Sequence, residues 1–256
     1  MQKNLITIVI LLGAFLLLIS VSSLLPLGKQ TAELTDRIDV IEIDVSGIST
    51  TIIPEKRDNV EADLDGNGSV QVKKSGNSLE VEYKRKWYQP FGFFKRPKLT
   101  IYLPDDYQRD LAIEVGSGNV NSKDLHLNKL LIDVNSGNVN MDSITAQTGV
   151  LDVRSGNIDL QHYTGQFEAD VSSGNLSIQM DELTDSVKVD MSSGHVELDL
   201  PDHADFTLDG NVSSGFISSS FPLKDKQESK RELNGINGTG EHHVDLSVSS
   251  GKIELR

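Results

Sequence analysis

Acidic side chains recur at a nearly constant interval in this sequence, each four positions before a glycine. This acidic stripe consists of Glu114, Asp133, Asp152, Asp170 and Asp190. Carboxylates stacked in register repel one another, so a divalent cation or a cationic partner, such as a basic peptide antibiotic, would offset their repulsion. The alternative interpretation is a solvated face that keeps a sheet protein soluble and blocks aggregation between sheets.

A second candidate surface is the segment 83–98, which is rich in aromatic and basic residues and contains no acid. Rings and cations together suit the headgroup layer of a membrane or an anionic wall polymer. In the alternative interpretation, the rings cap one end of the core while the basic side chains remain solvated. The binding residues that we predict here are Trp87, Tyr88, Phe91, Phe93, Phe94, Lys84, Arg85, Lys86, Lys95 and Arg96.

The histidines and carboxylates form no pattern typical of catalysis or metal binding. His242 and His243 follow Glu241, but adjacent strand residues face opposite ways, so they would not share one ion. We therefore predict no metal and no cofactor. Every Asp that could serve as a glycosidase acid or base belongs to the repeat, whereas a catalytic site normally interrupts a repeat. The sequence thus predicts no enzyme and no catalytic residues; an enzyme that uses the acidic face on wall polysaccharide is the alternative.

The elements that must position these side chains come from one repeated phrase, which reads LLIDVNSGNVNM in one copy and VLDVRSGNIDL in the next. Apolar residues precede and follow the glycine with a period of two, the pattern of β-strands. Each copy therefore predicts a strand, a glycine corner and a strand, and glycine suits a corner because it accepts a positive φ. The corner glycines are Gly118, Gly137, Gly156, Gly174, Gly194, Gly215 and Gly251, separated by 19, 19, 18, 20, 21 and 36 residues.

A fixed period of this size indicates a solenoid, because one copy cannot bury its apolar face alone. We predict an all-β fold, a parallel β-solenoid with rungs of about 19 residues, whose strands pair with their equivalents about 4.8 Å away. Val134, Val153 and Val171 should then lie above one another. The asparagines after the glycines should form a hydrogen-bonded column of Asn119, Asn138, Asn157 and Asn175.

The N-terminus is almost continuously apolar from Leu5 to Leu27, long enough to cross about 30 Å of hydrocarbon as a helix. We predict a transmembrane anchor over residues 1–29, a polar stalk over 30–37 and an extracytoplasmic β-solenoid domain over 38–256. The expected location is the cell membrane, with a single pass and the C-terminal domain outside. A cleaved signal peptide is the alternative.

Composition narrows the classes of partner. The net charge of −14 argues against nucleic acid, because phosphates require a basic surface. Aromatic residues make up 5% of the chain, which is low for a globule but sufficient for a thin core of Val, Ile and Leu. The chain has no cysteine, which agrees with an extracytoplasmic protein that forms no disulfides.

Several phrases together point to one known family. They are the rungs, the Leu-Pro-Asp phrases at 103–105 and 200–202, the Ser-Gly-Phe variant at Gly215 and the closing SVSSGKIEL. Over roughly residues 38–256 the sequence resembles a bacterial family of candidate adhesins, repeat β-solenoids of unknown function. With its single anchor it is similar to the membrane-anchored LiaG-like proteins of the Bacillus envelope-stress operon. The resemblance implies an envelope location and a link to cell-wall antibiotic stress, and it supplies no catalytic residues.

These patterns predict a non-enzymatic, membrane-anchored envelope protein that presents its β-solenoid as a binding surface. We expect it to act in the response to cell-envelope stress or in adhesion. Its predicted partners are the membrane, through its own anchor, and an envelope protein or an anionic wall polymer, but not nucleic acid.

Overall fold

The computed structural model of the protein describes residues 28–85 and 96–256. Across these two ranges the chain is all-β, as predicted, and has no helix long and apolar enough to cross a membrane. Residues 1–27 of the predicted N-terminal anchor lie outside the described residues. Residues 30–33 of the predicted stalk belong to the first strand, which is paired within the sheet. The strands are β1 (Lys29–Glu33), β2 (Val40–Glu55), β3 (Asn59–Asp65), β4 (Ser69–Ser75), β5 (Ser78–Lys84), β6 (Lys98–Pro104), β7 (Asp110–Val134), β8 (Asn138–Val153), β9 (Asn157–Val171), β10 (Asn175–Glu182), β11 (Val187–Met191), β12 (His195–Asp199), β13 (Phe206–Val212), β14 (Phe216–Ser219), β15 (Lys224–Glu228), β16 (Glu232–Asn237), β17 (His242–Val248) and β18 (Lys252–Leu255).

Three long strands form the centre of the molecule and wind as stacked coils, each coil being one turn of the chain around the core. β7 pairs with β8 and β8 with β9, in both cases parallel. Val134 faces Val153, and Val153 faces Val171, and all three side chains are buried. The predicted stacking of equivalent residues is therefore confirmed for these coils.

Each central coil has three sides. In β8 the buried residues fall in the runs 139–141, 144–146 and 149–153, so three short apolar sides face one core. The bend between the first two runs is made by Ser143, which has a φ of 61°. Asp124 and His162 occupy the same place in the neighbouring coils and have φ angles of 54°. At this place in all three coils, a left-handed residue other than glycine therefore turns the chain.

The corner glycines are required by the close approach of successive backbones. A Cβ atom on Gly156, Gly174 or Gly194 would lie within 3.0 Å of the carbonyl oxygen of the corner glycine in the neighbouring coil. Gly118, Gly194 and Gly251 also have positive φ angles, of 100°, 118° and 120°. Gly156 and Gly174 lie outside the left-handed region. A positive φ is therefore the wrong reason for these two glycines, and lack of space is the right one.

The sheet as a whole is mixed, so the prediction of a parallel solenoid is correct only for the stacked coils. Antiparallel pairs lie near both ends of the stack: β1 with β3, β3 with β6, β4 with β5, β13 with β16 and β15 with β16. Between β4 and β5 the Ser-Gly phrase forms a tight turn, Gly76-Asn77, and a connection of two residues joins only antiparallel neighbours. β15 pairs with one strand, is exposed throughout and carries four charged residues out of five, which protects this edge from pairing with another molecule.

The C-terminal coil does not stack in sequence order. β17 pairs with β11 on one side and with β13 on the other, and β18 likewise lies between β12 and β14. At the corner, the amide of Lys252 donates to the carbonyl oxygen of Gly194, and the amide of Phe216 donates to that of Gly251. The last coil therefore inserts between the two coils that precede it.

Candidate binding surface

The structure brings the predicted acidic stripe together and extends it. Asp133 faces Asp152, Asp152 faces Asp170, and Asp170 faces Asp190 on adjacent parallel strands. Glu114 precedes Asp133 by one coil, because the amides of Asn135 and Ser136 donate to the carbonyl oxygens of Val115 and Gly116, at 3.0 and 3.1 Å. Two further acids continue the line, since Glu114 faces Asp44 and Asp44 faces Glu82. We call these seven residues the acidic column: Glu82, Asp44, Glu114, Asp133, Asp152, Asp170 and Asp190.

The two additional acids were missed in the sequence for an identifiable reason. Asp44 precedes Gly47 by three residues rather than four, and the register between β2 and β7 shifts at this corner to compensate. Glu82 belongs to β5, and Lys86 rather than a glycine stands four positions after it in the sequence. The alternation IDVIEIDV around Asp44 was the only available signal.

Several carboxyl groups of the column lie in an environment that is unfavourable for charge. Burial raises the pKa of Asp44, and the neighbouring Glu82 raises it further. Burial also raises the pKa of Glu114, with Asp44 and Asp133 adding to the effect. The pKa of Asp152 is raised by burial and by Asp133. Stacked carboxylates at this spacing therefore disfavour one another's ionised form.

Cations are sparse along the column and lie beside it. Lys84 binds Glu82 at 2.8 Å, Arg154 binds Asp133 at 3.1 Å, and Lys188 binds Asp190 at 3.1 Å. The second carboxylate oxygen of Asp133, Oδ1, is buried and accepts no hydrogen bond from the described residues, although 14% of the side chain is exposed. The acidic column is therefore only partly neutralised by the chain itself.

A line of apolar side chains runs beside the acidic column on the same outer face. Ala112, Leu131 and Val150 each lie two residues before an acid of the column, so they share its face, and all three are half-buried. Leu131 faces Val150 directly. On β7 and β8 the outer side thus carries a short apolar line beside the acidic one, and the apolar line ends at β9, where Glu168 faces Val150.

The column leads into a small notch near its last acid. The notch is lined by acidic residues and serines of three stacked strands and has a volume of about 140 Å³. Asp190 faces Ser247 of the inserted C-terminal coil, and Ser247 faces Asn211, so the acidic character stops there. The charge of the column is therefore confined to the coils that precede the insertion.

The neighbouring outer face carries the predicted asparagine column, which is confirmed. The side-chain amide of Asn138 donates to Asn119 at 3.0 Å, that of Asn157 to Asn138 at 2.6 Å, and that of Asn175 to Asn157 at 2.7 Å. The same stacking that sets carboxylates against one another therefore satisfies amides, because each amide has both a donor and an acceptor.

Most of the predicted aromatic and basic site lies outside the described residues: Trp87, Tyr88, Phe91, Phe93, Phe94, Lys86 and Lys95. Lys84 ends β5, Arg85 follows it, and Arg96 precedes β6. Tyr83, at the start of the segment, is buried, and its hydroxyl donates to the carbonyl oxygen of Asn67 at 2.8 Å. This one ring therefore belongs to the core, as the alternative interpretation expects.

A groove lined by both apolar and polar residues opens where β2 and β7 diverge. β2 pairs with β7 as far as Ile52 and Ser122, after which β7 bends at Asp124 while β2 continues beside β6. The groove has a volume of about 530 Å³, and Ile53, 36% exposed, lies in its wall. None of the predicted site residues lines it.

The comparisons with known proteins support the family-level resemblance. A sequence model of the Toastrack DUF4097 family matches residues 38–149 and 116–256. Among curated proteins none matches. The likeness to LiaG-like proteins and to Bacillus stays a prediction.

Three solved structures are similar to this chain in overall fold. One is an adhesin candidate from Bacteroides fragilis, 14% identical, with a TM-score of 0.48, covering 89% of this chain and 96% of its own. Another is an adhesin candidate from Parabacteroides distasonis, 15% identical, with a TM-score of 0.43 and the same coverage. A candidate lipid-binding protein from Parabacteroides distasonis is 13% identical, has a TM-score of 0.36, and covers 90% and 97%.

Proposed function

This chain belongs to the Toastrack DUF4097 family, and we propose that it is a non-enzymatic, membrane-anchored envelope protein that binds a cationic, amphipathic peptide or protein segment. The observation that carries the proposal is the outer face of β7 and β8, where the acidic column runs beside a short apolar line. A partner with one basic and one apolar face would match both lines at once.

Binding of such a partner would reduce the electrostatic repulsion within the acidic column. The column contains seven acids, and the chain supplies partners through Lys84, Arg154 and Lys188. Cations from outside would lower the repulsion between the remaining carboxylates, and the apolar line formed by Leu131 and Val150 would lose its contact with water. The two contributions favour the same orientation of the bound segment.

The proposal places the protein on the outer side of the membrane, in the response to cell-envelope stress. The apolar stretch 5–27 would be its anchor, and β1, which begins at Lys29, would be the first element of the outer domain. Cationic amphipathic peptides are one chemical class of antibiotic that acts at this surface. Membrane fractionation of producing cells, followed by protease treatment of intact cells, tests this part: we expect the protein in the membrane fraction and residues 38–256 to be cleaved from outside.

The binding test uses the full-length chain in a nonionic detergent and a fluorescent peptide of leucines and lysines with one apolar and one cationic face. A peptide of the same composition in scrambled order is the control probe. We expect saturable binding of the amphipathic peptide, measured by fluorescence anisotropy, and at least several-fold weaker binding of the scrambled one. Equal binding of both peptides would contradict the proposal, because only the ordered peptide can match two parallel lines.

A variant pair locates the binding face. In the first variant, Asp133, Asp152 and Asp170 are replaced by Asn. Exposed ion pairs contribute about 0.5 kcal/mol each, so we expect affinity to fall about tenfold. The matched control replaces three exposed acids off the column, as Asp106→Asn, Glu182→Gln and Asp202→Asn. Equal loss in both variants would mean that net charge alone attracts the peptide.

The same experiments address the alternative of a wall polysaccharide enzyme. The acids of the column recur coil by coil, so no pair differs from the rest as an acid and a base would. Release of soluble fragments from purified wall polymers by the full-length chain, lost in the triple Asn variant, would replace the binding proposal with the enzymatic one.

A further inference from the structure

We infer that His195, Glu197 and Glu254 form a binding site for a divalent transition-metal ion of the zinc type, at the seam between β12 and the inserted C-terminal strand β18. Glu197 faces Glu254 across this seam, and His195 lies two residues before Glu197 on the same outer face. The three groups can each offer one ligand atom, and these atoms lie within 4.8 Å of one another. The Nε2 atom of His195 is 3.3 Å from Oε2 of Glu254.

The position of His195 is where the repeat is interrupted. The asparagine column runs through Asn157 and Asn175, and His195 occupies the next place in register. An asparagine there would extend the hydrogen-bonded amide column, which an imidazole does not continue in the same way. Residues that break a repeat without a gain in packing are expected at functional positions. This interruption, together with two carboxylates that converge on it, distinguishes the site from the solvated acids elsewhere.

The chemistry of the ligand set favours zinc-type ions over calcium or magnesium. Imidazole nitrogen binds zinc at about 2.0–2.1 Å and carboxylate oxygen at about 2.0–2.2 Å, whereas calcium and magnesium prefer oxygen ligands alone. The three side chains are each about one-third exposed, so small rotations can bring the ligand atoms around one ion. Three protein ligands would leave at least one position of the ion to water.

Two basic side chains orient the carboxylates without closing the site. Lys252 binds Oε1 of Glu254 at 2.5 Å, and Arg256 binds Oε1 of Glu197. Each contact leaves the other oxygen, Oε2, for a metal ion, and Oε2 of Glu254 is the atom that already faces His195. Supporting contacts of this kind hold metal ligands in place. Their positive charges also mean that the site will be weaker than one with unpaired carboxylates.

The location gives the ion a defined structural effect. The strands β12 and β18 are adjacent in space, but 57 residues separate Glu197 from Glu254 in the sequence. An ion bound to both would hold the C-terminal coil in its inserted place, and it would stabilise the folded state because the unfolded chain has no such site. We therefore expect the metal to act as a clip on the end of the chain.

The test measures metal binding to the full-length chain in a nonionic detergent, free of chelators. We expect one equivalent of Zn²⁺ to bind by calorimetry and Co²⁺ to give visible absorption bands that Zn²⁺ abolishes. Hydrogen exchange within β18 should slow when Zn²⁺ is added. No saturable binding, or binding of Zn²⁺ without any change in β18, would overturn the inference.

A conservative substitution separates loss of the site from loss of the fold. His195→Asn continues the asparagine column, so we expect the stability of the metal-free protein to be unchanged. Loss of an outer-shell contact lowers metal affinity about 10–100-fold, and we expect the loss of His195, a direct ligand, to lower the affinity for Zn²⁺ by more than that. Glu254→Gln should also weaken binding. The control is His162→Asn, which removes another exposed histidine beside an acid, Asp181, at a position where asparagine tolerates the left-handed φ.

The control also determines how a negative result is interpreted. If His162→Asn reduces Zn²⁺ binding as much as His195→Asn does, the ion binds exposed histidines in general and the inference is wrong. If His195→Asn does not fold, Glu254→Gln alone decides, since Gln keeps the shape of the side chain. Peptide binding to the acidic column should be the same with and without Zn²⁺, so failure of one proposal leaves the other standing.

Discussion

The central coils and the C-terminal coils are built from the same phrase but assembled in different ways. In β7, β8 and β9 each coil pairs with the next coil of the sequence, over strands of 25, 16 and 15 residues. From β11 onward the strands have four to seven residues, and the last coil inserts between two earlier ones. Equal repeat units are equally good neighbours, so the repeat determines the shape of a coil but not its place in the stack.

The two regions also differ in how they treat carboxylates. In the central coils, burial and neighbouring acids raise the pKa values of Glu114, Asp152 and Asp170. In the C-terminal region the pKa of Asp205 is lowered, chiefly by backbone hydrogen bonds from Glu241 and Thr239. Acids in the central column therefore oppose one another, whereas Asp205 fixes the loop that leads into the inserted strand.

Removal of residues 242–256 should have the largest effect, because it takes away the coil between β11 and β13. Repeat proteins are stabilised mainly by contacts between neighbours, so we expect β11–β16 to lose protection while β7–β9 keep it. Hydrogen exchange measured by mass spectrometry tests this. Unchanged protection of residues 187–219 would mean that the last coil is dispensable.

Two matched core substitutions should show different extents of unfolding in the central and the C-terminal coils. Leu151 and Leu246 occupy equivalent places before the corner glycine and are each 1% exposed. We expect either change to Ala to cost about 2–5 kcal/mol of unfolding free energy, because both leave a cavity in a thin core. Denaturation followed by hydrogen exchange should show that Leu246→Ala unfolds the C-terminal coils alone. A purely local effect of Leu151→Ala would contradict the central role given to β8.

Gly174→Ala should cost about 1–3 kcal/mol, because the added Cβ would overlap the carbonyl oxygen of Gly156 in the preceding coil. Thermal or urea unfolding measures the loss, and Ser173→Ala at the adjacent exposed position is the control. If the alanine at 174 is tolerated as well as the control, backbone approach is not what selects glycine at these corners.

The smallest effect, and one of opposite sign in the two regions, should come from pH. For a carboxyl group whose folded pKa is raised, stability is greatest below its unfolded pKa of about 4 and is lost as pH rises through the folded value. Asp152→Asn should therefore stabilise the protein by about 0.5 kcal/mol at pH 7 and flatten the dependence between pH 4 and 7. Urea unfolding across this range is the measurement.

Asp205 should change stability with pH in the opposite direction. Its folded pKa is lowered, so its contribution is present above the unfolded pKa and is lost as pH falls. Asp205→Asn should destabilise the protein at pH 7 and remove part of its acid sensitivity. If both variants change stability with the same sign at pH 7, the contrast between the two regions is wrong.

The sequence predicted the features that recur at equal positions in every copy of the repeat. Stacked valines such as Val134 and Val153, the asparagine column and the acidic stripe follow from equal positions in equal phrases. It did not predict Asp44 and Glu82, because their strand segments depart from the four-residue spacing. It also could not bring Glu254 to Glu197, since that contact depends on which coil the last one joins. The repeat also did not indicate the antiparallel pairs, because Ser75-Gly76 forms a tight turn between β4 and β5 instead of a corner between stacked coils.

The order of the coils can be tested most directly with engineered disulfides, because the native chain has no cysteine. Asp190 faces Ser247, and Ser247 faces Asn211, so strands β11 and β13 are separated by β17. Adjacent strands lie about 4.8 Å apart, within the range of a disulfide, and next-nearest strands do not. We predict that cysteines at 190 and 247 form a disulfide on mild oxidation and that cysteines at 190 and 211 do not. Rapid cross-linking of the 190 and 211 pair, without the 190 and 247 pair, would contradict the insertion of the C-terminal coil.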